Sequence, residues 1–291
     1  MEESISSLHP WFITGFADAE GCFYVGIHKV PKATTGYSIK ISFQIGLHRK
    51  ELLLLEKIKL FFGVGIISRD GENYVKYQVR SIEDLKIVVD HFYKYPLITQ
   101  KQADFLLFKS VFELMCSKQH LTEEGLLKIA ALKASMNNGL SEQLKVAFPN
   151  VIPANRLSVL NYKVKDPNWL VGFIGGEGCF LITVQKSTTR HNQARLVFQL
   201  TQHQRDERLM MSLIEYFGCG NVYQSRNAID FRITKFKDLV DKLIPFFDKY
   251  PLVGAKAKDY FDEVAELMKN KAHLTKEGLA QIIKIKARLS K

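Results

Sequence analysis

Cysteine is scarce in this 291-residue sequence, and its four cysteines form no recognisable pattern. Cys22, Cys116, Cys179 and Cys219 lie far apart, with neither a C-x-x-C pair nor a short spacing to histidine. Such scattered cysteines argue against a disulfide-stabilised scaffold and against a cysteine-based zinc site.

Long apolar runs and a targeting signal are also missing. No segment approaches the roughly 18 uninterrupted apolar residues that a membrane helix needs. The first four residues include two acids where a secretory signal would have basic residues, and no apolar segment follows them. We therefore expect neither a secretory signal nor a membrane partner.

Acidic residues are outnumbered, with 30 Asp and Glu against 41 Lys and Arg, which gives a net charge of +11. A hydrophobic content of 46% is enough for a buried core and excludes wholesale disorder. The length is sufficient for one large or two ordinary domains, at about 100–200 residues each. The basic excess predicts a polyanionic partner, with nucleic acid ahead of a membrane surface.

The chain contains two copies of one module. A Gly-Phe pair followed by Glu-Gly-Cys-Phe occurs at 15–23 and again at 172–180. Further shared segments follow in the same order, among them Lys-Tyr-Pro-Leu and His-Leu-Thr. We predict an N-terminal repeat at 1–136, a linker with several prolines at 137–167 and a C-terminal repeat at 168–291. Two like modules suggest a covalently tied dimer with an approximate two-fold axis.

The periodicity within each copy predicts an α+β fold. An apolar helical segment comes first, and three later segments alternate between apolar and polar residues, as half-buried strands do. A helical pattern and a short strand separate the second and third of these segments, and further helices follow. Each copy therefore reads αββαββα, with an antiparallel four-stranded sheet that carries helices on one face and leaves the other open.

The open sheet faces are rich in Lys, Arg, Gln, Ser and Thr. Arg, Lys and Gln pair with base edges, and a β-surface can enter a major groove of about 12 Å. An ordinary hydrated surface is the alternative, because the solvent side of any antiparallel sheet is polar. The net charge and the two-fold repeat favour duplex DNA. The residues predicted to contact DNA are Tyr24, Gly26, His28, Lys32, Ser38, Lys40, Ser42, Gln44, Ser68, Asp70, Lys76, Gln78, Arg80, Thr183, Gln185, Arg190, Arg195, Gln199, Thr201, Tyr223, Asp230, Arg232 and Thr234.

Glu20 and Glu177 each stand at the end of an apolar helical segment, directly before glycine. The helix macrodipole is negative there, so a carboxylate costs about 0.3–1 kcal/mol. A divalent cation would reverse this penalty, because Mg²⁺ prefers carboxylate and carbonyl oxygens. The alternative is a Glu-Gly pair that merely ends a helix at the surface. The repetition favours a metal site, and metal-holding acids suit in-line phosphodiester hydrolysis.

Segments 13–21 and 170–178 resemble the two motifs of the LAGLIDADG homing endonucleases, in particular the single-chain, double-motif class encoded in fungal organellar introns. The resemblance extends over essentially the whole chain, including Tyr-Pro-Leu-x-x-x-Lys at 95–101 and 250–256. It implies that the motif helices form the interface between the halves and that the two sheets form a DNA-binding saddle.

The resemblance also assigns roles to site residues. Glu20 and Glu177 would coordinate Mg²⁺ or Mn²⁺, assisted by the backbone carbonyls of Ala19 and Gly176. Ca²⁺ is expected to replace the metal without supporting cleavage.

Lys101 and Lys256 match basic residues near the family's active site, which polarise water or stabilise the phosphorane; ordinary lysines at helix starts are the alternative. Gln202 matches a polar active-site residue, but the corresponding position in the first copy is Leu47. The two half-sites are therefore expected to be chemically unequal.

We therefore expect a monomeric, metal-dependent endonuclease that cuts both strands of a long, nearly asymmetric DNA target. The resemblance places it in the mitochondrion. An intron maturase, with intron RNA as its partner, and a catalytically dead DNA-binding protein are the alternatives. Retention of both acids and both lysines argues against a dead site but does not exclude a bifunctional maturase. We expect Cys22 and Cys179 to be small buried residues.

Overall fold

The computed structural model describes residues 8–159, 162–185, 193–253 and 256–289, and it divides the chain into two compact units. Unit 1 extends to Asn161 and unit 2 begins at Tyr162. Most of the predicted linker therefore belongs to unit 1. Within the described ranges, no helix is both long and apolar enough to cross a membrane.

Unit 1 has a four-stranded antiparallel sheet of order β1-β2-β4-β3. Its strands are β1 (Gly21–Lys29), β2 (Tyr37–His48), β3 (Ile66–Arg69) and β4 (Tyr74–Val79). Its helices are α1 (Pro10–Glu20), α2 (Leu52–Phe62), α3 (Ile82–Lys94), α4 (Lys101–Cys116), α5 (Glu123–Ala134) and α6 (Glu142–Ala147).

Unit 2 repeats this arrangement, with a sheet of order β5-β6-β8-β7. Its strands are β5 (Gly178–Gln185), β6 (Gln193–His203), β7 (Asn221–Ser225) and β8 (Ala228–Ile233). Its helices are α7 (Pro167–Glu177), α8 (Glu207–Phe217), α9 (Phe236–Asp238), α10 (Ile244–Lys249), α11 (Lys256–Lys269) and α12 (Lys276–Leu289), with a π-helical turn at Leu239–Leu243. The predicted αββαββα repeat is confirmed in both units.

Local sequence explains where several helices begin and end. The motif helices α1 and α7 each have proline at the first helical position, where the missing N–H costs no hydrogen bond. Helices α2 and α8 end at Gly63 and Gly218, which adopt positive φ angles of 70° and 62°. Glycine accepts this left-handed conformation without steric penalty, so the chain can end both helices there and turn towards the next strand.

Phenylalanines from the inward strand positions fill the core of each unit. Phe23 of β1 lies 5.3 Å from Phe43 of β2 between ring centroids, and both rings are buried. Phe180 and Phe198 repeat this contact in unit 2, at 5.2 Å. The alternating pattern therefore identified the buried face of both sheets correctly.

The prediction that Cys22 and Cys179 are buried is wrong. Both are exposed and lie on the open sheet faces, where Cys22 is paired with Gln44 and Cys179 with Gln199. Each cysteine directly precedes an inward phenylalanine, so the alternation of the strand turns it outward.

Candidate active site

Glu20 is the last residue of α1 and is half-buried. Gly21 follows it, and the Gly21 N–H closes the helix on the carbonyl of Ala17. A Cβ atom at Gly21 would lie 2.7 Å from that carbonyl oxygen. Gly178 stands in the same relation to the carbonyl of Ile174. The Glu-Gly pair therefore makes a tight turn from helix to strand, which fixes the carboxylate-bearing residue at the end of the helix.

Lys101, the first residue of α4, reaches the same helix end. Its Nζ donates to the carbonyl oxygens of Ala17 and Ala19, at 3.0 and 2.9 Å. Burial raises the pKa of the Glu20 carboxyl, and the nearby Lys101 ammonium acts in the opposite direction. The structure of unit 1 therefore brings the Lys101 ammonium to the end of the helix that carries Glu20.

Asp18, two residues before Glu20 in α1, is a buried acid that bonds to the turn before α4. It is 2% exposed and accepts hydrogen bonds from the backbone N–H groups of Ile98 and Thr99, at 3.0 and 3.3 Å. The Thr99 hydroxyl also donates to Asp18, at 2.5 Å, and accepts from the Lys101 N–H at 3.2 Å. Asp18 therefore holds the turn that precedes Lys101.

Unit 2 builds its site from different neighbours. Glu177 ends α7, and Oε1 of its carboxylate accepts a hydrogen bond of 2.6 Å from Nε2 of Gln202. Leu47, at the position of Gln202 in unit 1, can make no such bond. The acid Asp18 is replaced by exposed Gly175. Lys256 begins α11, and its side chain lies outside the described part of the structure.

Polar side chains on the open face of unit 1 contact one another. Gln44 and Gln78 both donate to the Ser42 hydroxyl, at 2.6 and 3.1 Å, and Arg80 donates to Gln78 at 2.6 Å. Ser42 is 2% exposed because these amides cover it. The register places the following predicted DNA contacts on this face: Tyr24, Gly26, His28, Ser38, Lys40, Ser42, Gln44, Ser68, Lys76 and Gln78. Lys32, Asp70 and Arg80 lie beside the strands, and Asp70 pairs with Lys76.

The open face of unit 2 is organised around a buried acid. Asp230 is 4% exposed and accepts from Thr201 Oγ1 and Arg232 Nη2, both at 2.7 Å. The Arg232 guanidinium also lies 5.4 Å from the centre of the Tyr223 ring. The predicted contacts found on this face are Thr183, Arg195, Gln199, Thr201, Tyr223, Asp230 and Arg232, with Thr234 just beyond β8. The side chain of Gln185 and the whole of Arg190 lie outside the described residues.

A family model described as LAGLIDADG endonuclease matches residues 13–112 and 170–265, which include most of each motif helix and both sheets. The chain belongs to the LAGLIDADG endonuclease family. The fold and family predicted from the two motifs are therefore confirmed.

Curated relatives of this LAGLIDADG protein are named as intron-encoded endonucleases. "Probable intron-encoded endonuclease 2" of Neurospora crassa is 40% identical, and the match covers 97% of this chain and 65% of the relative. "Probable intron-encoded endonuclease 3" of the same fungus is 38% identical, covering 94% of this chain and 53% of the relative. The chain thus spans between half and two thirds of these relatives.

Among solved structures, I-SmaMI bound to an uncleaved DNA target in the presence of calcium ions superposes with a TM-score of 0.95. It is 44% identical, and the match covers 98% of this chain and 99% of that one. This LAGLIDADG chain therefore has the fold of a protein that holds a DNA target.

The donor set in each unit of the LAGLIDADG chain fits a metal ion that is shared with substrate. Across the described ranges, no group of three or more His, Cys, Asp and Glu side chains could hold a metal by itself. Each unit instead offers one glutamate and the carbonyl oxygens at the end of its motif helix. Mg²⁺ commonly takes one or two carboxylates and completes its coordination with water and phosphate oxygens. A carbonyl oxygen has two lone pairs, so Ala19 can accept from Lys101 and still offer one.

Sequence reasoning missed an ion pair in this LAGLIDADG protein, between the buried Asp104 of α4 and the half-buried Arg156 of the predicted linker. No sequence signal relates the two positions, since they stand 52 residues apart. Asp104 lies in the first turn of α4, which begins at Lys101.

Proposed function

We propose that the chain is a monomeric, site-specific endonuclease that cuts both strands of duplex DNA with Mg²⁺ or Mn²⁺. The observation that carries the proposal is the repeated helix-terminal glutamate with a cationic or amide donor beside it. In unit 1 the donor is Lys101, next to Glu20; in unit 2 it is Gln202, bonded to Glu177. Membership of the LAGLIDADG endonucleases supports the reaction class.

Glu20 and Glu177 are the residues that would hold the metal ions, with the carbonyls of Ala19 and Gly176. When bound, such ions activate water and stabilise the leaving oxygen in phosphodiester hydrolysis. Lys101 supplies positive charge beside Glu20, where negative charge accumulates on the reacting phosphate, and Lys256 takes the matching position in unit 2. In this proposal each unit serves one DNA strand.

The open sheet faces are the proposed DNA-binding surfaces, and their side chains differ. Unit 1 presents Gln44 and Gln78, whereas unit 2 presents Gln199 and Arg232 at the matching strand positions. Glutamine suits adenine and arginine suits guanine in the major groove. Faces with different donors would read different half-sites, so we propose a long and nearly asymmetric target.

The proposed location is the mitochondrion. The support is the intron-encoded naming of the relatives together with the resemblance to endonucleases of fungal organellar introns.

The test has two steps. Cleaved sites are first selected from a randomised DNA library in Mg²⁺, and binding to the selected target is then measured in Ca²⁺. Glu20→Gln or Glu177→Gln should abolish double-strand cleavage and retain specific binding, because the amide keeps the shape of the side chain but loses its charge. Glu56→Gln and Glu215→Gln, on exposed helix faces, are the matched controls and should cut normally. Linearisation of the target at the wild-type rate by either site variant would refute the assignment.

A further inference from the structure

The guanidinium of Arg156 forms hydrogen bonds with groups at the start of α4 and just after α5. Its two terminal nitrogens contact both carboxylate oxygens of Asp104, with Nη2 at 3.0 Å from Oδ2. Nη1 also donates to the carbonyl of Ser135 at 3.1 Å, and Nη2 donates to the carbonyl of Gln100 at 3.0 Å. The Asn137 N–H adds a further bond to Asp104, at 3.0 Å. Asp104 is 3% exposed, so Arg156 is the counter-charge of a buried carboxylate.

Two of the residues that Arg156 contacts flank Lys101 in the sequence. Gln100 directly precedes it, and Asp104 lies in the same first turn of α4. On the other side, the Thr99 hydroxyl bonds to the Lys101 N–H and is itself held by Asp18. The backbone that carries Lys101 is therefore fixed from two directions, by the motif helix and by the linker.

The position of the Lys101 ammonium depends on this backbone. Lysine carries its charge on a flexible four-carbon stem, so the stem alone does not define where the charge lies. From the first residue of α4, Nζ reaches the carbonyls of Ala17 and Ala19. A misplacement of about 1 Å at a reacting centre can cost about 10²-fold in rate.

Among the side chains that the structure describes in unit 2, no buried cluster of this kind stands at the start of α11. Lys256 begins α11 as Lys101 begins α4, but Asp259, at the position of Asp104, is exposed. The contacts of Arg156 lie beside Lys101, the lysine of unit 1.

We propose that Arg156 is a positioning residue that fixes Lys101 through Asp104 and Gln100, and that it sets the cleavage rate of one DNA strand. The proposal rests on the proposed function, in which each unit serves one strand. It assigns the predicted linker a role in catalysis beyond joining the two repeats.

The experiment measures the cleavage of each strand separately, on a target labelled differently on its two strands. Lys101→Ala first identifies the strand that depends on unit 1. Arg156→Ala should slow that same strand by about 10-fold or more and change the other by less than about 2-fold, so that nicked DNA accumulates. Arg288→Ala is the matched control, because it breaks an exposed arginine–glutamate pair in unit 2 and should leave both rates unchanged.

Arg156→Ala removes the cation that hydrogen-bonds to the buried Asp104 carboxylate, which destabilises unit 1. The double variant Arg156→Met with Asp104→Asn removes both charges together with the donor contacts of the guanidinium to Gln100 and Ser135, and the amide oxygen at position 104 can still accept from the Asn137 N–H. It should show the same strand bias with specific DNA binding in Ca²⁺ retained.

Equal slowing of both strands, or slowing of the strand that Lys101→Ala leaves unchanged, would overturn the proposal. Wild-type rates on both strands in the folded double variant would also overturn it and leave Arg156 with a purely structural role. If the wild-type protein cut no library site in Mg²⁺, the proposed function itself would fail, and this outcome is seen before any variant is made.

Discussion

The two units share one architecture but differ in how they fill the space behind the motif helix. In unit 1, Thr14 donates to the carbonyl of Tyr95 at 2.9 Å and lies 3.2 Å from Nε2 of buried His91. Unit 2 has Val171 and Phe246 at the matching positions. Phe246 packs among aromatic rings at 5.3–6.2 Å, as His91 does at 4.9–5.4 Å. A flat ring therefore packs at this place in both units, polar in unit 1 and apolar in unit 2.

A second difference lies in the helix that follows the sheet. Helix α3 of unit 1 is regular, with Asp90 paired to Lys86, whereas unit 2 has Pro245 at the position of Asp90. Proline lacks an N–H and clashes with the carbonyl four residues earlier. The π-helical turn at Leu239–Leu243, just before this proline, relieves the clash within a continuous helical path.

The differences extend to the support of the acids but leave the acids themselves unchanged. Asp18 and Leu47 of unit 1 correspond to Gly175 and Gln202 of unit 2, while a helix-terminal glutamate stands in both. The duplicated units have therefore diverged in what supports the acid, while each retains a glutamate at the end of its motif helix.

The largest effect is expected from the buried acid of unit 1. Asp18→Ala leaves the N–H groups of Ile98 and Thr99 without their acceptor and should cost about 3 kcal/mol. Gly175→Asp, the reciprocal change at an exposed position, should cost less than about 0.5 kcal/mol. Urea unfolding followed by circular dichroism measures both. Equal losses in the two variants would mean that the units do not differ in this support.

The next effect concerns base preference. Arg232 is held by Asp230, so Arg232→Ala should remove about 1–3 kcal/mol of discrimination for guanine at one base pair of the target. Gln78→Ala, at the matching position of unit 1, should weaken a preference for adenine in the other half-site. Cleavage of every single-base-pair variant of the target gives both profiles. An unchanged profile for Arg232→Ala would place this arginine away from the bases.

A smaller effect is expected at the acid of unit 2. Gln202→Leu replaces the amide that bonds to Glu177 with the leucine found at the matching position of unit 1. It should slow the cleavage of one strand about 10-fold, or about 1.4 kcal/mol. The strand affected should be the one that Lys101→Ala spares. Strand-specific cleavage measures it, and Leu47→Gln in unit 1 is the reciprocal variant. A loss shared equally by both strands would show that Gln202 does not act on one half-site.

The smallest effect on stability at neutral pH is expected when Thr14 and His91 of unit 1 are replaced by the residue types of Val171 and Phe246 in unit 2. Thr14→Val with His91→Phe keeps the volume nearly constant and should change stability by less than about 1.5 kcal/mol. At acidic pH, the stability of the wild type and that of the double variant should differ. Burial lowers the pKa of His91 to about 3 from its ordinary 6.5, so the unfolded chain takes up a proton that the folded chain refuses.

The wild type should therefore lose stability as the pH falls from 6.5 towards 3, and this part of the loss should be absent in the double variant. Hydrogen exchange of α1 and α3 peptides between pH 7 and 4.5, corrected for the intrinsic exchange rate, measures the difference. Parallel losses in the two proteins would exclude His91 as the cause.

Much of the fold could be predicted because it is encoded by local patterns. The alternation around Phe23 and Phe198 identified the buried sheet faces, and the glycines after α2 and α8 marked helix ends. The error at Cys22 and Cys179 came from giving residue type more weight than the same alternation, which places a residue next to an inward phenylalanine on the opposite face. Lys101 and Gln202 entered through family resemblance, since no local pattern relates them to Glu20 or Glu177.

The sequence alone determined that there are two copies of one module, that each has a polar sheet face, and that each carries an acid at the end of its motif helix. Repetition and short periods are visible without any knowledge of packing. Only the tertiary structure decided what surrounds the acids. The contact of Lys101 with Ala19 joins residues 82 apart, that of Asp18 with Thr99 joins residues 81 apart, and Arg156 reaches Asp104 from 52 positions away. Such contacts depend on how helices and turns pack together, which no local pattern of residues records.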